Sequence, residues 1–457
     1  MEVIVCGAGQ VGSQIARHLS DEGNAVTIID NNAALVRRVT DALDVSGVVG
    51  FASHPSVLAR AGARNCDMLI AATSMDEVNM VACQVAHSVF EVPTKIARVR
   101  TDGYLEAEWS DLFRRDHMPI DVIISPEAEV ANVTMRRLGS TAAFDIEPFF
   151  QGQVYFVGLR LDEDCPVVNT PLRQLSELFS TLRARVVAVR RDGKLWTTSA
   201  DDQVFPNDEV YFVAATEDVN RTFGIFGREN IAVSRLVIVG AGNVGLRVAR
   251  KVESSGTMRL KLIERDRPRA EYAADRLERT IVLNGDGLDA EMLGEAGIGE
   301  ADALVALTND DRTNVLSCAL AQEAGCPISI ALSNDQTFGR IAEPLGVNAL
   351  INPRATTVSS ILRHVRRGKI RSVYSVGGGE GEVVEAQVMA TSPIAGKRVR
   401  DIAFPAGAII GAVLSDGKVV MPSGDMTIKV GDVMVLFAVR GAVQKIEQMF
   451  RVSVDFF

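Results

Sequence analysis

A chain of 457 residues is too long for one hydrophobic core and calls for three or four domains, and its 47% apolar and 23% charged side chains are ordinary for a globular protein. A net charge of −10 argues against a nucleic-acid partner, which needs a basic face. No window holds eighteen uninterrupted apolar residues, so no segment is expected to span a bilayer.

The chain opens with Met1-Glu2-Val3-Ile4-Val5-Cys6-Gly7, which reads as a strand running into a glycine turn; with no basic n-region it is not expected to be a signal peptide. Gly7-Ala8-Gly9-Gln10-Val11-Gly12 follows, then a helix with Val11, Ile15 and Leu19 on one face and Gly23 as its stop. Gly7 permits the tight turn, Gly9 lets backbone amides approach a pyrophosphate, and Gly12 lets helix pack on strand. The phosphates would sit at the helix N-terminus, where unpaired N–H groups and the dipole favour an anion. Asp30, eighteen residues after Gly12, ends the second apolar strand, where a carboxylate accepts hydrogen bonds from ribose hydroxyls and disfavours a 2′-phosphate.

Further along, Thr73-Ser74 follow an apolar strand and open a new helix. Their hydroxyls are expected to cap it, to contact ribose or to do both, capping being the plainer reading. Lys95-Ile96-Ala97-Arg98-Val99-Arg100 reads as a strand ending near the same crevice. Arg98 either faces the phosphates, favouring a more highly charged ligand, or is a solvated charge at the strand end. Ser125 before Pro126 is placed to cap a helix over Glu127 to Leu138.

A strand-rich unit comes next, with Asp192-Gly193 as a hairpin turn. Then the pattern repeats at an offset of about 234: Leu236-Val237-Ile238-Val239 leads into Gly240-Ala241-Gly242-Asn243-Val244-Gly245, and Leu262-Ile263-Glu264 matches Ile28-Ile29-Asp30. Gly285 matches Gly50, Thr308-Asn309 matches Thr73-Ser74, Asn314 matches Asn79, and Leu332 stands in place of Arg98. The strand-rich unit recurs too, with Asp416-Gly417 in place of Asp192-Gly193. Between them, Thr356 to Val365 reads as a second linker helix, Arg363-His364-Val365-Arg366-Arg367 as its basic face, and Gly377 to Gly381 as a flexible surface loop before the last module.

The expected plan is α/β: two Rossmann-like doubly wound parallel-sheet domains at 1–123 and 232–350, each followed by a small α+β domain, at 140–226 and 371–457. The first cleft is expected to tolerate a triphosphate such as ATP, the second to prefer NAD(H), ADP or AMP. No Tyr-x-x-x-Lys pair or Gly-Lys-Ser/Thr loop is present, and the five histidines are dispersed. The six cysteines lack a Cys-x-x-Cys pair and are expected to be reduced thiols, not a zinc site or disulfide framework. No catalytic and no metal-binding residues are expected.

Over its full length the chain resembles the TrkA family of Trk-type potassium uptake systems. The resemblance rests on Gly7 to Gly12, Asp30, Thr73-Ser74-Met75-Asp76-Glu77-Val78-Asn79 and Ala97-Arg98 in the first half. In the second it rests on Gly240 to Gly245, Leu262-Ile263-Glu264-Arg265, Gly285-Asp286 and His364-Val365-Arg366-Arg367. It implies that the Rossmann units are RCK N-terminal (KTN) domains and the small units RCK C-terminal domains. It further implies a regulatory subunit on the cytoplasmic face of the inner membrane. Such a subunit would form a homo-oligomeric ring under a membrane potassium channel or transporter subunit (TrkH/TrkG-like), with gating by ATP, ADP and NAD(H). By the family pattern the nucleotide contacts are Gly7, Ala8, Gly9, Gln10, Val11, Gly12, Asp30, Thr73, Ser74 and Arg98, then Gly240, Ala241, Gly242, Asn243, Val244, Gly245, Glu264 and Thr308. Phe51 after Gly50 departs from that pattern, which commonly has a polar residue there, whereas the second half keeps Asp286. The competing readings are a soluble NAD-dependent oxidoreductase and a free-standing nucleotide-sensing scaffold.

Overall fold

A computed structural model describes residues 1–450 except 336–337, 339–340, 343, 366–369 and 378. Arg366, Arg367 and Gly378, singled out above, lie outside the described residues, as does the end of the fourth domain. The chain divides into two compact units, Met1–Ala131 with Ile351–Val365, and Asn132–Leu350 with Arg366–Phe457.

In the first unit β1 (Glu2–Cys6), β2 (Ala25–Asp30), β3 (Ser46–Val49), β4 (Met68–Ala71), β5 (Thr94–Arg98) and β6 (Val122–Ile124) form one parallel sheet in the order β3-β2-β1-β4-β5-β6. Helices α1 (Gln10–Asp21), α2 (Ala33–Ala42), α3 (Pro55–Arg60) and α4 (Asp76–Phe90) connect the strands. Because strands such as Met68–Ala71 are apolar at every position, both sheet faces must be covered. Two core clusters do so, one holding Leu58, Leu69, Met80 and Cys83, the other Val5, Ile15, Leu19 and Ile28. The second cluster is completed by Val358, Ile361 and Val365 of the helix Pro353–Val365, which comes from after the second sheet in sequence. Arg363 of that helix pairs at 2.9 Å with Glu129 of α5 (Pro126–Gly139), which Ser125 caps by accepting the Ala128 N–H.

In the second unit β7 (Asp145–Phe149), β8 (Val154–Arg160), β9 (Ala184–Arg191), β10 (Lys194–Thr197) and β11 (Glu209–Ala215), with α6 (Leu172–Leu178) and α7 (Val219–Ile225), make an antiparallel sheet domain. Next, β12 (Arg235–Val239), β13 (Arg259–Glu264), β14 (Ile281–Asn284), β15 (Ala303–Ala306), β16 (Ile328–Leu332) and β17 (Ala349–Ile351) repeat the first sheet as β14-β13-β12-β15-β16-β17. Their helices are α8 (Asn243–Ser255), α9 (Arg267–Ala274), α10 (Ala290–Glu295) and α11 (Asp311–Glu323). Finally β18 (Ile370–Val376), β19 (Gly381–Gln387), β20 (Ala408–Ser415), β21 (Lys418–Val420) and β22 (Val433–Val439) repeat the antiparallel sheet.

Asp192-Gly193 and Asp416-Gly417 take positive φ at both positions, as two-residue hairpins require. The glycine loop at 377–381 joins β18 to β19, so it lies inside the last module and not before it. The two small sheets share a core in which Phe156 stacks on Tyr211 (5.6 Å) and Phe437 (6.3 Å). Among the described residues no helix is long and apolar enough to cross a membrane.

Candidate functional site

Each parallel sheet reverses its strand order beside its first strand, and a crevice opens there at the carboxyl ends of the strands, where open α/β sheets hold ligands. The glycine fingerprints lie at that point. Gly7 and Gly240 have φ of +107° and +101°, and a Cβ on either would come within 3.0 Å of the loop after β4 or β15. A Cβ on Gly12 would lie 1.8 Å from the Gly7 carbonyl oxygen, and one on Gly245 1.9 Å from that of Gly240. Strand and helix can therefore approach this closely only with glycine at both places. Gly9 and Gly242 face open space instead and are the N-caps of α1 and α8, with no side chain capping either helix. Gln10, Val11 and Asn243, Val244 form the first turns of these helices. Their N–H groups are the natural seat for an anion.

Asp30 and Glu264 occupy equivalent places at the ends of β2 and β13. One Asp30 oxygen accepts the Ala8 N–H at 2.7 Å and the other the Asn32 N–H at 2.8 Å. Glu264 accepts the Ala241 and Asp266 N–H groups at 2.6 and 2.9 Å. Each carboxylate thus fixes the glycine turn, and its remaining lone pairs can accept hydroxyl protons.

Thr73 does not cap α4. The N-cap is Met75, and the Thr73 hydroxyl donates to Asn79 Oδ1 at 2.7 Å while accepting the Met75 N–H. Ser74 lies exposed in the turn between them. Thr308 behaves alike, donating to Asn314 Oδ1 at 2.7 Å, while Asp310 caps α11. Asn79 and Asn314, which the sequence offers as markers of the repeat and, for Asn79, as the end of a family motif, are the organising residues. Each is fully buried and also donates to the end of the next strand, Asn79 to the Arg98 carbonyl and Asn314 to the Leu332 carbonyl.

The charged groups differ between the clefts. Arg98 donates from Nη1 to the Thr73 carbonyl at 3.2 Å, and its Nε is buried without a hydrogen-bond partner. Burial first, and Arg100 second, lower its pKa. Arg98 is thus partly buried and held against the Thr73 turn, not free in solvent at a strand end. Leu332 replaces it in the second half and is buried.

The second cleft still has a guanidinium. Arg269 of α9 donates to the Ala241 carbonyl at 2.7 Å and to Asn243 Oδ1 at 3.1 Å, with its guanidinium over the Tyr272 ring. The first half has Leu35 at that position, so aligning the halves beyond the fingerprint reveals the exchange. The second cleft has a volume of about 390 Å³ and is lined by Gly240, Gly242, Glu264, Arg269, Asp286 and Thr308 among others.

No group of the described residues could hold a metal ion. The six cysteines are free and buried, and burial pushes Cys66 up to about 11 and Cys83 up to about 12, which keeps those thiols from acting as nucleophiles. The groups present can position an anion and a diol.

The TrkA-N domain family matches residues 3–126 and 236–353, and the TrkA-C domain family residues 156–227 and 383–451. The Trk system potassium uptake protein TrkA of Azorhizobium caulinodans is 49% identical over 458 residues, covering 100% of each chain. That of Halomonas elongata is 36% identical over 461 residues, again covering 100% of each. Among solved structures the GsuK RCK domain is similar with a TM-score of 0.58 at 15% identity, over 98% of this chain and 94% of that one. The GsuK channel bound to NAD gives 0.59 at 15% identity, over 98% of this chain and 78% of that one. Identity this low speaks to fold alone. The relatives are named for potassium uptake and not for an enzymatic reaction, and the chain belongs to the TrkA family of Trk system potassium uptake proteins.

Proposed function

We propose that this chain is a nucleotide-reading regulatory subunit, built from domains at 1–123, 140–226, 232–350 and 371–457. It would act as a homo-oligomeric ring on the cytoplasmic face of the inner membrane, controlling a TrkH/TrkG-like potassium subunit. The ligands are NAD(H), ATP and ADP. The observation that carries this reading is the pair of crevices with one backbone geometry and differently placed guanidinium groups, Arg98 in one and Arg269 in the other. A structural neighbour, the GsuK channel, is described as bound to NAD, which supports the same ligand class here.

In each cleft the glycine loop and helix N-terminus would hold a diphosphate, with Gly7 to Gly12 serving the first and Gly240 to Gly245 the second. Asp30 and Glu264 accept ribose hydroxyls, and Thr73, Ser74 and Thr308 line the opposite wall. Bound nucleotide supplies charge and no reactivity. ATP and ADP differ only at the terminal phosphate, so residues that tell them apart must lie at the phosphate end, where Arg98 reaches the first cleft. A ligand shifts a conformational equilibrium only by its differential affinity for the two states. A coupling of about 1–3 kcal/mol is enough to alter gating.

The test is potassium flux through vesicles holding the membrane subunit, with the full-length chain added and ATP, ADP or NADH varied. Flux should depend on which nucleotide saturates the chain. Identical flux with every nucleotide, or failure of the chain to co-purify with the membrane subunit, overturns the proposal.

A further inference from the structure

Away from both glycine crevices, a cavity of about 470 Å³ lies where the two small antiparallel domains meet in the second unit. One wall comes from α6, β9 and α7, including Leu175, Phe179 and Phe226. The other comes from Ile409, Met421 and Pro422 of the last module. Its lining is mixed: apolar side chains make up slightly more than half of it, and the rest is polar, with hydroxyl groups such as that of Thr198 and two arginines.

Arg185 of β9 lies in this lining. Its Nη1 donates to the Pro422 carbonyl at 3.3 Å, and among the described residues lining the cavity there is no Glu, while the other cation, Arg173, is already paired with Asp201 at 3.0 Å. Glu217 and Asp218, which meet Arg183 just before the strand, are engaged there and not with Arg185: both pair with Arg183, and Asp218 also with Arg221. Burial alone lowers the Arg185 pKa, with no carboxylate offsetting it. The last module has Ile409 at the place of Arg185, so the charge is a departure from the repeat and not a requirement of the sheet. A β-bulge at the Tyr211/Phe212 step falls beside this part of β9, and bulges re-aim neighbouring side chains.

A guanidinium carries five N–H donors and stays charged, so holding it against apolar walls without an acid is costly unless an anion arrives. A cavity of several hundred Å³ that sets apolar side chains beside a few polar groups, one of them charged, is the usual form of a small-molecule site. We propose that this cavity binds an amphipathic monoanion, an aliphatic or aromatic carboxylate whose charged end pairs with Arg185 and whose body lies against Leu175, Phe179 and Met421. A diphosphate or dinucleotide does not suit it, since there is one unpaired guanidinium and no glycine-lined cradle. Because both small domains line the cavity, an occupant stabilises their packing by mass action.

The probe is sodium decanoate, titrated calorimetrically into the full-length chain, with decanol and inorganic phosphate as the uncharged and the headgroup-only controls. Decanoate should saturate at one molecule per chain and raise the melting temperature. Phosphate should neither bind there nor displace it. Arg185→Met should weaken decanoate by roughly tenfold to a hundredfold, the worth of a charge-assisted hydrogen-bonded pair, and leave decanol affinity unchanged. Met421→Trp, which keeps Arg185 and fills the cavity, should abolish binding of both. The proposal is overturned if decanoate does not saturate, if Arg185→Met binds it as the parent does, or if Met421→Trp leaves binding intact.

Discussion

The two parallel-sheet halves share a skeleton and differ in charge. Both place glycines where a Cβ would strike a carbonyl, both bind the turn with a strand-end carboxylate, and both lock the opposite wall with a buried asparagine. At three matched places they diverge: Arg98 against Leu332, Leu35 against Arg269, and an ion pair of buried Lys95 with solvent-accessible Asp121 against the neutral Ser329–Asn348 pair. The last contrast is the cleanest, because Asp121 and Asn348 accept the same backbone N–H, from residue 95 or 329, at the same 2.7 Å. What recurs is what the backbone demands; the side-chain charge beside it can be exchanged. A duplicated site can therefore keep its shape while changing the ligand it prefers.

The largest expected effect breaks the shared skeleton. Gly12→Val forces a side chain into the Gly7 carbonyl, and Gly245→Val does the same in the other half. Each should cost about 3 kcal/mol or more and erase nucleotide binding in its own half only, read by thermal melting and by titration with NADH. Loss of binding in both halves from one substitution would end the description of two separate sites.

Next comes the exchanged pair at the base of the fifth strands. Lys95→Met strands Asp121, which keeps partial access to water, and should cost about 2–4 kcal/mol. Ser329→Ala removes a neutral donor from Asn348 and should cost about 1 kcal/mol. Installing the second half's pair in the first, Lys95→Ser with Asp121→Asn, should recover most of the loss. Chemical denaturation of the three variants measures the difference, and equal losses from the two single variants would show that the charge itself is immaterial.

Much of this was legible before any coordinates. Strand, triplet, helix and spaced acid are local patterns with steric causes, so Gly7 to Gly12, Asp30 and their counterparts could be placed from spacing alone. Two kinds of feature escaped. Thr73 reads as a helix cap because it precedes α4, yet Asn79, one turn into that helix, captures its hydroxyl; only the fold sets those two facing each other. Arg269 escaped because its meaning depends on which way α9 presents its third residue to the glycine turn. Likewise, nothing in the spacing of Pro353–Val365 shows that this helix completes the core of the first unit.

The guanidinium exchange sharpens the comparison with a smaller effect. Arg98→Ala should weaken ATP at the first cleft by about tenfold, roughly 1.4 kcal/mol, and ADP by less. Arg269→Ala should leave the first cleft alone and weaken binding at the second. Calorimetric titration of each variant with ATP, ADP and NADH reads this directly. Unchanged ATP affinity in Arg98→Ala would remove the charge argument for the first cleft.

The smallest effect separates the halves by pH. At the end of α8, burial pushes the Glu253 carboxyl up, but the Thr280 hydroxyl and the N–H groups of Arg279, Glu278 and Thr280 outweigh it and hold its pKa below the usual value. The first half has the uncharged Ser20 at that position, donating to the Asp44 carbonyl. A carboxylate whose pKa is lower folded than unfolded adds stability above its unfolded pKa, near 4.3, and loses it as pH falls through the folded value. Acidification from pH 6 to below 4 should therefore loosen the end of α8 more than the end of α1, as read by amide hydrogen exchange. Glu253→Gln should weaken α8 at pH 6 and flatten that dependence. If both helix ends lose protection together in the parent chain, the difference in charge between the halves does not extend to their stability.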